Sequence, residues 1–210
     1  MSEGFPSIEE KLVTSRKPKP SLKTALDYLE KGIYSVHSSD YVSPEDRVQK
    51  VEEFKAEAEN LLRKHLPRGY NLTLVLLKCH IVLEFMLNKF IELVASCEVD
   101  MSKRKFGFFQ KIELLHLLGF PPDPTVIPSL ELLNTLRNQV AHTLELDRGK
   151  VDLLIKINGG DPQEVSSLDD KARASWIRAI TAGISGNIVG CVQAHNIWAS
   201  REAKDADKEE

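Results

Sequence analysis

Hydrophobic positions recur at three- and four-residue spacing over most of the chain beyond residue 43, the mark of helices with one buried face. Val48, Val51, Phe54, Ala58, Leu61 and Leu62 follow such a stripe behind Ser43-Pro44-Glu45-Asp46. There a serine can cap, a proline suits the first helical position, and acids meet the positive end of the dipole. That helix should stop before Pro67-Arg68-Gly69. From Asn71 to Cys97 apolar residues occupy most of the circumference, with Leu72, Leu76, Leu83, Met86, Leu87 and Phe90 among them. A helix so apolar belongs at the centre of a bundle. One polar line interrupts it: His80, Glu84 and Asn88 recur every four residues and share a face.

A short helix is expected through Leu114, Leu115 and Leu118, ended by the proline-rich stretch Gly119-Phe120-Pro121-Pro122-Asp123-Pro124. Another, from about Pro128 to His142, carries Leu130, Leu133, Leu136 and Val140 on one side. Lys150 to Ile157 alternates imperfectly and predicts a short strand or hairpin, closed by Asn158-Gly159-Gly160-Asp161. The last helix should run from Ser167 or Leu168 to Arg201, with Ile177, Ile180, Ile184 and Ile188 as its apolar stripe. Ala182, Gly186, Gly190 and Ala194 form a second line, of small residues. Glycine costs helix stability, so this line implies close approach of another helix, within the chain or across a dimer.

The N-terminal segment, residues 1–42, reads as an extension. Its cation–proline run Ser15 to Pro20 disfavours helix, and Ser21 can cap a short helix from Leu22 to Lys31. The bundle is then expected over 43–203, with a charged, frayed tail at 204–210. Ala179 to Ser200 lacks Asp, Glu, Lys and Arg, but Asn187, Gln193, His195 and Asn196 suit a helix packed in protein, not lipid. No secretory signal or membrane span is expected. The fold class is therefore all-α, a helical bundle.

The chain's 210 residues carry 28 Lys+Arg against 31 Asp+Glu, a net charge of -3, which argues against a protein that coats nucleic acid broadly. Its 3 cysteines are scattered and form neither a disulfide framework nor a zinc-ligand pattern. A cytoplasmic home, no cofactor and no metal are the expectations. One local basic run stands out, Lys103, Arg104, Lys105 and Lys111 beside Phe106, Phe108 and Phe109. Lys103, Arg104 and Lys105 are either an exposed loop or a contact for RNA or phosphate, and the three phenylalanines are either core or base-stacking.

Leu133 to His142 carries the strongest chemical hint. Arg137 offers permanent donors for a phosphate, Asn138 follows it, and His142 can exchange a proton near neutral pH. With a ribose hydroxyl as nucleophile, an arginine and a histidine suffice for metal-free RNA cleavage. On one helix Arg137 and His142 lie about 140° apart, so they converge only if the helix end unwinds or a second copy supplies one of them. His80, Glu84 and Asn88 either line such a site or satisfy one another.

The run Leu-Arg-Asn-x-x-Ala-His resembles the motif of HEPN domains (higher eukaryotes and prokaryotes nucleotide-binding), in which His follows Arg after four to six residues. The resemblance covers Asn71 to His142 and, loosely, the last helix. It implies an antiparallel helical bundle, a homodimer joining two motifs, and, in many members, a metal-independent ribonuclease of a bacterial toxin or defence system. Other members, including mannitol-repressor-like proteins, keep the fold as regulators without established cleavage. By this resemblance Arg137 binds phosphate, Asn138 is its polar neighbour, His142 is the catalytic histidine, and Glu84 matches an acid on an earlier helix. RNA or a nucleotide is the implied ligand, and an antitoxin or other regulatory protein the implied partner. One toxin subgroup has a modifiable tyrosine two positions beyond the histidine; Leu144 stands there in this chain.

Overall fold

The computed structural model describes residues 44–95, 99–121 and 123–206, so the expected N-terminal helix at Leu22–Lys31, the capping Ser43 and the last four residues lie outside the described residues. Among those described, seven α-helices and one short 3-10 turn make up the regular structure, and no strand is present.

Helix α1 (Pro44–His65) begins at the proline that the sequence marks. Helix α2 (Leu72–Val94) starts where Asn71 accepts a hydrogen bond from the Leu74 N–H (2.9 Å), satisfying one of the end donors that a helix leaves open. Leu76, Leu83, Met86, Leu87 and Phe90 of α2 are fully enclosed. The helix packs against α1 and against the four elements that follow from other parts of the chain, which makes it the centre of the core.

A 3-10 turn (Met101–Lys103) leads to α3 (Phe108–Leu117), whose first backbone N–H groups are met in part by Gln110, bonded to the Gly107 N–H at 2.7 Å. Helix α4 (Val126–Thr143) starts earlier than the sequence suggests, placing Pro128 inside its first turn. Asp123 makes that start work. Its Oδ1 accepts from the N–H groups of Thr125 (2.7 Å) and Val126 (2.9 Å), and proline in a first turn forfeits no helical hydrogen bond.

The strand expected at Lys150–Ile157 is instead helix α5 (Arg148–Ile157). Asp147 caps it, accepting from the Lys150 N–H at 3.1 Å. Val151, Leu154 and Ile155 all face the core, a helical spacing that the imperfect alternation masked. The Asn-Gly-Gly run ends a helix, not a strand: the N–H groups of Gly159 and Gly160 return to the carbonyls of Lys156 and Ile155, and Gly159 takes φ +90°.

After a single turn, α6 (Pro162–Val165), comes α7 (Asp170–Ala206), which continues past the Arg201 end expected for it. Ile177, Ile180, Ile184 and Ile188 are buried as the pattern predicts. Two arginines of α7 tie loops to the body. Arg178 donates to the carbonyls of Pro67 (3.2 Å) and Gly69 (2.9 Å) in the α1–α2 turn. Arg173, itself buried, grips Asp152 of α5 with two hydrogen bonds (2.8 and 3.1 Å) and also donates to the Leu168 carbonyl. The small-residue line faces outward. Ala182, Gly186, Gly190 and Ala194 are exposed, and a Cβ on either glycine would meet nothing within 4 Å. The close helix within the chain that this line implied is therefore absent among the described residues. No helix among them is long and apolar enough to cross a membrane.

Candidate functional site

Helix α4 carries the Arg–Asn–His motif on a rigid base. Leu130, Leu133, Leu136 and Val140 are buried, so the rotation of the helix is set by its apolar stripe. Arg137 lies at the margin of that stripe, exposed, with its Nη1 donating to Asn138 Oδ1 at 3.0 Å. His142 is also exposed and, among the described residues, its side chain makes no hydrogen bond or ion pair. The helix stays intact through Thr143, where the Thr143 hydroxyl donates to the Gln139 carbonyl at 2.9 Å. Unwinding therefore does not bring the two side chains together, and their roughly 140° divergence stands.

The turn after His142 is unusual. Leu144 caps α4 with φ 59°, the one non-glycine with positive φ among the described residues, and its side chain is 84% exposed. A leucine meets steric crowding in that left-handed conformation, so the chain turns sharply directly beyond the motif.

The polar line of α2 does not share one environment. A step of four residues turns a helix by about 40°, so the line winds from the side facing α4 toward the open face. His80 is 3% exposed and packs on the ring of Phe108, centroids 4.1 Å apart. Its Nε2 has no hydrogen-bond partner, while the Asn134 side chain of α4 interacts with the ring. Burial pushes the imidazole below its ordinary 6.5; the nearby Glu84 charge works against this, and Arg137 and Lys111 reinforce it. Glu84 itself is held by Lys111 of α3, Nζ to Oε1 2.7 Å. Asn88, a turn further on, is half-buried with its Oδ1 unpartnered.

Three helices thus assemble His80, Glu84, Lys111, Asn134 and Arg137 into one polar seam. Two of these, Lys111 and Asn134, are not among the residues to which the sequence pattern assigns a site role. A signal for each existed. Lys111 interrupts the buried row Phe108, Ile112 and Leu115 of α3, where a lone lysine calls for an acid. Asn134 sits one turn before Asn138 on the motif helix. Lys111, in the same basic stretch of sequence as Lys103, Arg104 and Lys105, is buried and paired, because its stem runs along the apolar row and its ammonium meets Glu84.

The remaining basic residues stay outside the seam's interactions. Lys103 pairs with Asp100 at 2.9 Å, and Ser102 together with Lys103 holds that carboxyl down to about 2. Arg104 and Lys105 are exposed. Of the three phenylalanines, Phe108 is core, whereas Phe106 and Phe109 face solvent in part.

Two surface cavities lie elsewhere. One of about 450 Å³ is bordered by Tyr70, Thr73, Glu145 and the Arg148–Asp170 ion pair; one of about 200 Å³ runs along Trp176, Ile180 and Asn187 of α7. Neither includes Arg137 or His142. With His80 neutral, the seam's charges are Arg137, Lys111 and Glu84, a net single positive charge with one exposed guanidinium. That is chemistry for holding an anion at Arg137. No protein-family model, curated protein or solved structure matches the chain.

Proposed function

We propose that this protein is a HEPN-like, metal-independent endoribonuclease of a bacterial toxin or defence system, working as a homodimer in the cytoplasm. The observation that supports this most is the intact helix beneath the motif. Arg137 is braced by Asn138 and exposed, and His142 is exposed on another side of the same rigid helix. Two copies are needed to close an arginine and a histidine on one phosphodiester.

In that composite site Arg137 holds the non-bridging phosphoryl oxygens through its fork of donors. The ribose 2′-hydroxyl attacks phosphorus and loses its proton to a solvent water acting as base. The 5′-oxygen leaves with a proton delivered by the His142 imidazolium of the other copy, and a 2′,3′-cyclic phosphate remains. Arg104 and Lys105 add positive charge for RNA, within a chain whose overall charge is negative.

The test uses mixed RNA in EDTA. The native chain should generate cyclic-phosphate ends, and Arg137→Ala and His142→Ala should each lose roughly 100-fold or more. Mixing the two inactive variants should restore about a quarter of the activity, since half the dimers are mixed and each of those holds one intact Arg–His pair. Mixtures as inactive as their components refute the composite site.

A second reading is a non-catalytic HEPN-fold module that binds nucleotide, RNA or a regulatory protein. It is favoured by the lack, among the described residues of a single chain, of any group that orients His142. Native and His142→Ala proteins leaving RNA equally intact, while Arg137→Ala weakens RNA retention on a filter, would establish it over the first.

A further inference from the structure

The chain from Ser102 to Gly107 crosses open surface between two buried anchors. Met101 is enclosed, and its N–H donates to Glu92 Oε1 of α2 at 2.8 Å. Phe108, at the start of α3, is buried with its ring on His80. The Arg104 N–H closes the 3-10 turn on the Met101 carbonyl at 3.2 Å, and Gln110 holds the Gly107 N–H. The segment is fixed at both ends, so its exposed side chains are presented on a prepared base.

Those side chains are of two kinds. Phe106 is 40% and Phe109 54% exposed, each partly seated on the chain and partly open to water. Their Cα atoms are at most about 11 Å apart, the reach of three extended residues. Arg104 and Lys105 directly precede them, exposed and, among the described residues, without an ion pair. A phenylalanine at the surface offers a π-face on which a nucleobase stacks, and an adjacent cation meets the phosphate that links such bases. We propose that Phe106 and Phe109 form a base-stacking platform for single-stranded RNA, with Arg104 and Lys105 on its phosphates. The strand has to be single because paired bases have their faces covered by their neighbours in the stack. A lipid surface fits less well. It calls for about four to eight clustered cations. Here Lys103 is paired with Asp100, and Glu113 stands exposed one turn beyond Phe109.

The platform deepens the nuclease reading and rests on it for its functional meaning. Phe108, between the two rings in sequence, touches His80, and the Arg137 charge opposes protonation of that same imidazole. The platform thus borders the seam of α2, α3 and α4 that holds Arg137, and a strand stacked on it runs beside that guanidinium. The substrate class is then RNA with unpaired bases, read with little preference among them, since every base has a π-face.

The test measures binding apart from cleavage, by fluorescence anisotropy in EDTA with the full chain carrying His142→Ala. The probes are a labelled oligoadenylate, its duplex with oligouridylate, and an abasic chain of the same length. The oligoadenylate should bind about tenfold tighter than either of the others. Phe106→Ala and Phe109→Ala should each weaken it about tenfold and leave the abasic chain unaffected. Arg104→Ala and Lys105→Ala should weaken both single strands alike and flatten the salt dependence. Leu153→Ala, at a leucine 49% exposed on α5, should change nothing. Phe109→Trp should keep the affinity, and oligoadenylate should quench its emission beyond any quenching of the chain's own tryptophans, a readout that a loosened fold would not give. Since Phe106 and Phe109 are exposed, the helical circular-dichroism signal should be unchanged throughout. A chain that leaves oligoadenylate unbound, or binds the duplex as tightly, overturns the proposal. So does an affinity indifferent to both phenylalanine variants, or adsorption to phosphatidylserine vesicles in place of RNA. Binding that depends on Phe106 and Phe109 in a native chain that never cleaves overturns the nuclease reading and leaves the platform standing; cleavage with an affinity unmoved by either variant overturns the platform alone.

Discussion

The Glu84–Lys111 pair offers an asymmetric test of how the seam is built. The two side chains touch at 2.7 Å, but Lys111 is only 6% exposed whereas Glu84 is 39% exposed. Glu84→Leu strands an ammonium in the core, which should cost about 3 kcal/mol, the lower end for an uncompensated buried charge. Lys111→Met strands a carboxylate that water still reaches, and the methionine refills the apolar channel of the lysine stem. That loss should be near 1 kcal/mol. The double variant replaces both charges by apolar groups of similar volume and should fall within about 1 kcal/mol of the parent. Urea unfolding of the parent and the three variants measures these losses. A difference of about 2 kcal/mol between the single variants corresponds to roughly 4–8 °C in Tm for a chain of this size. Equal losses, or a larger loss for Lys111→Met, would refute the assignment of Lys111 as the buried member whose charge needs its partner.

Two further outcomes are expected. The buried His80 takes up its proton below its ordinary 6.5, so between that pH and its folded value the unfolded chain binds more protons. Stability is complete above about pH 6.5 and falls as the pH drops through this window, by at most about 1.4 kcal/mol per pH unit from this one group; parallel stability–pH curves for native and His80→Asn chains would contradict the burial argument. Glycine substitutions should split by environment: a Cβ on Gly160 would sit 2.5 Å from Ile155 Cγ2 and 2.9 Å from Val165 Cγ2, so Gly160→Ala should lose about 2 kcal/mol. Gly186→Ala, with nothing within 4 Å, should gain roughly 0.5–1 kcal/mol from helix propensity in thermal melts. A destabilised Gly186→Ala chain would show that something seats on that face of α7.

The amino-acid sequence by itself determined the all-helical class, the place of α2 at the centre, and the buried stripes of α4 and α7. Those follow from periodicity alone, because a stripe of apolar side chains has to leave water whichever neighbour receives it. It also carried the divergence of Arg137 and His142, which is a property of any helix. It misled where the local pattern was short: eight residues from Lys150 to Ile157 hold too few apolar positions to separate two periods, and the Asp147 cap was the better guide. Only the tertiary structure decided which polar residues meet. Lys111 and Glu84 are 27 residues apart and pair only because α3 lies across α2. Likewise, whether the glycine line of α7 or the leucines of α2 face a neighbour depends on where the other helices stop. Distance along the chain carries no information about such contacts; packing creates them.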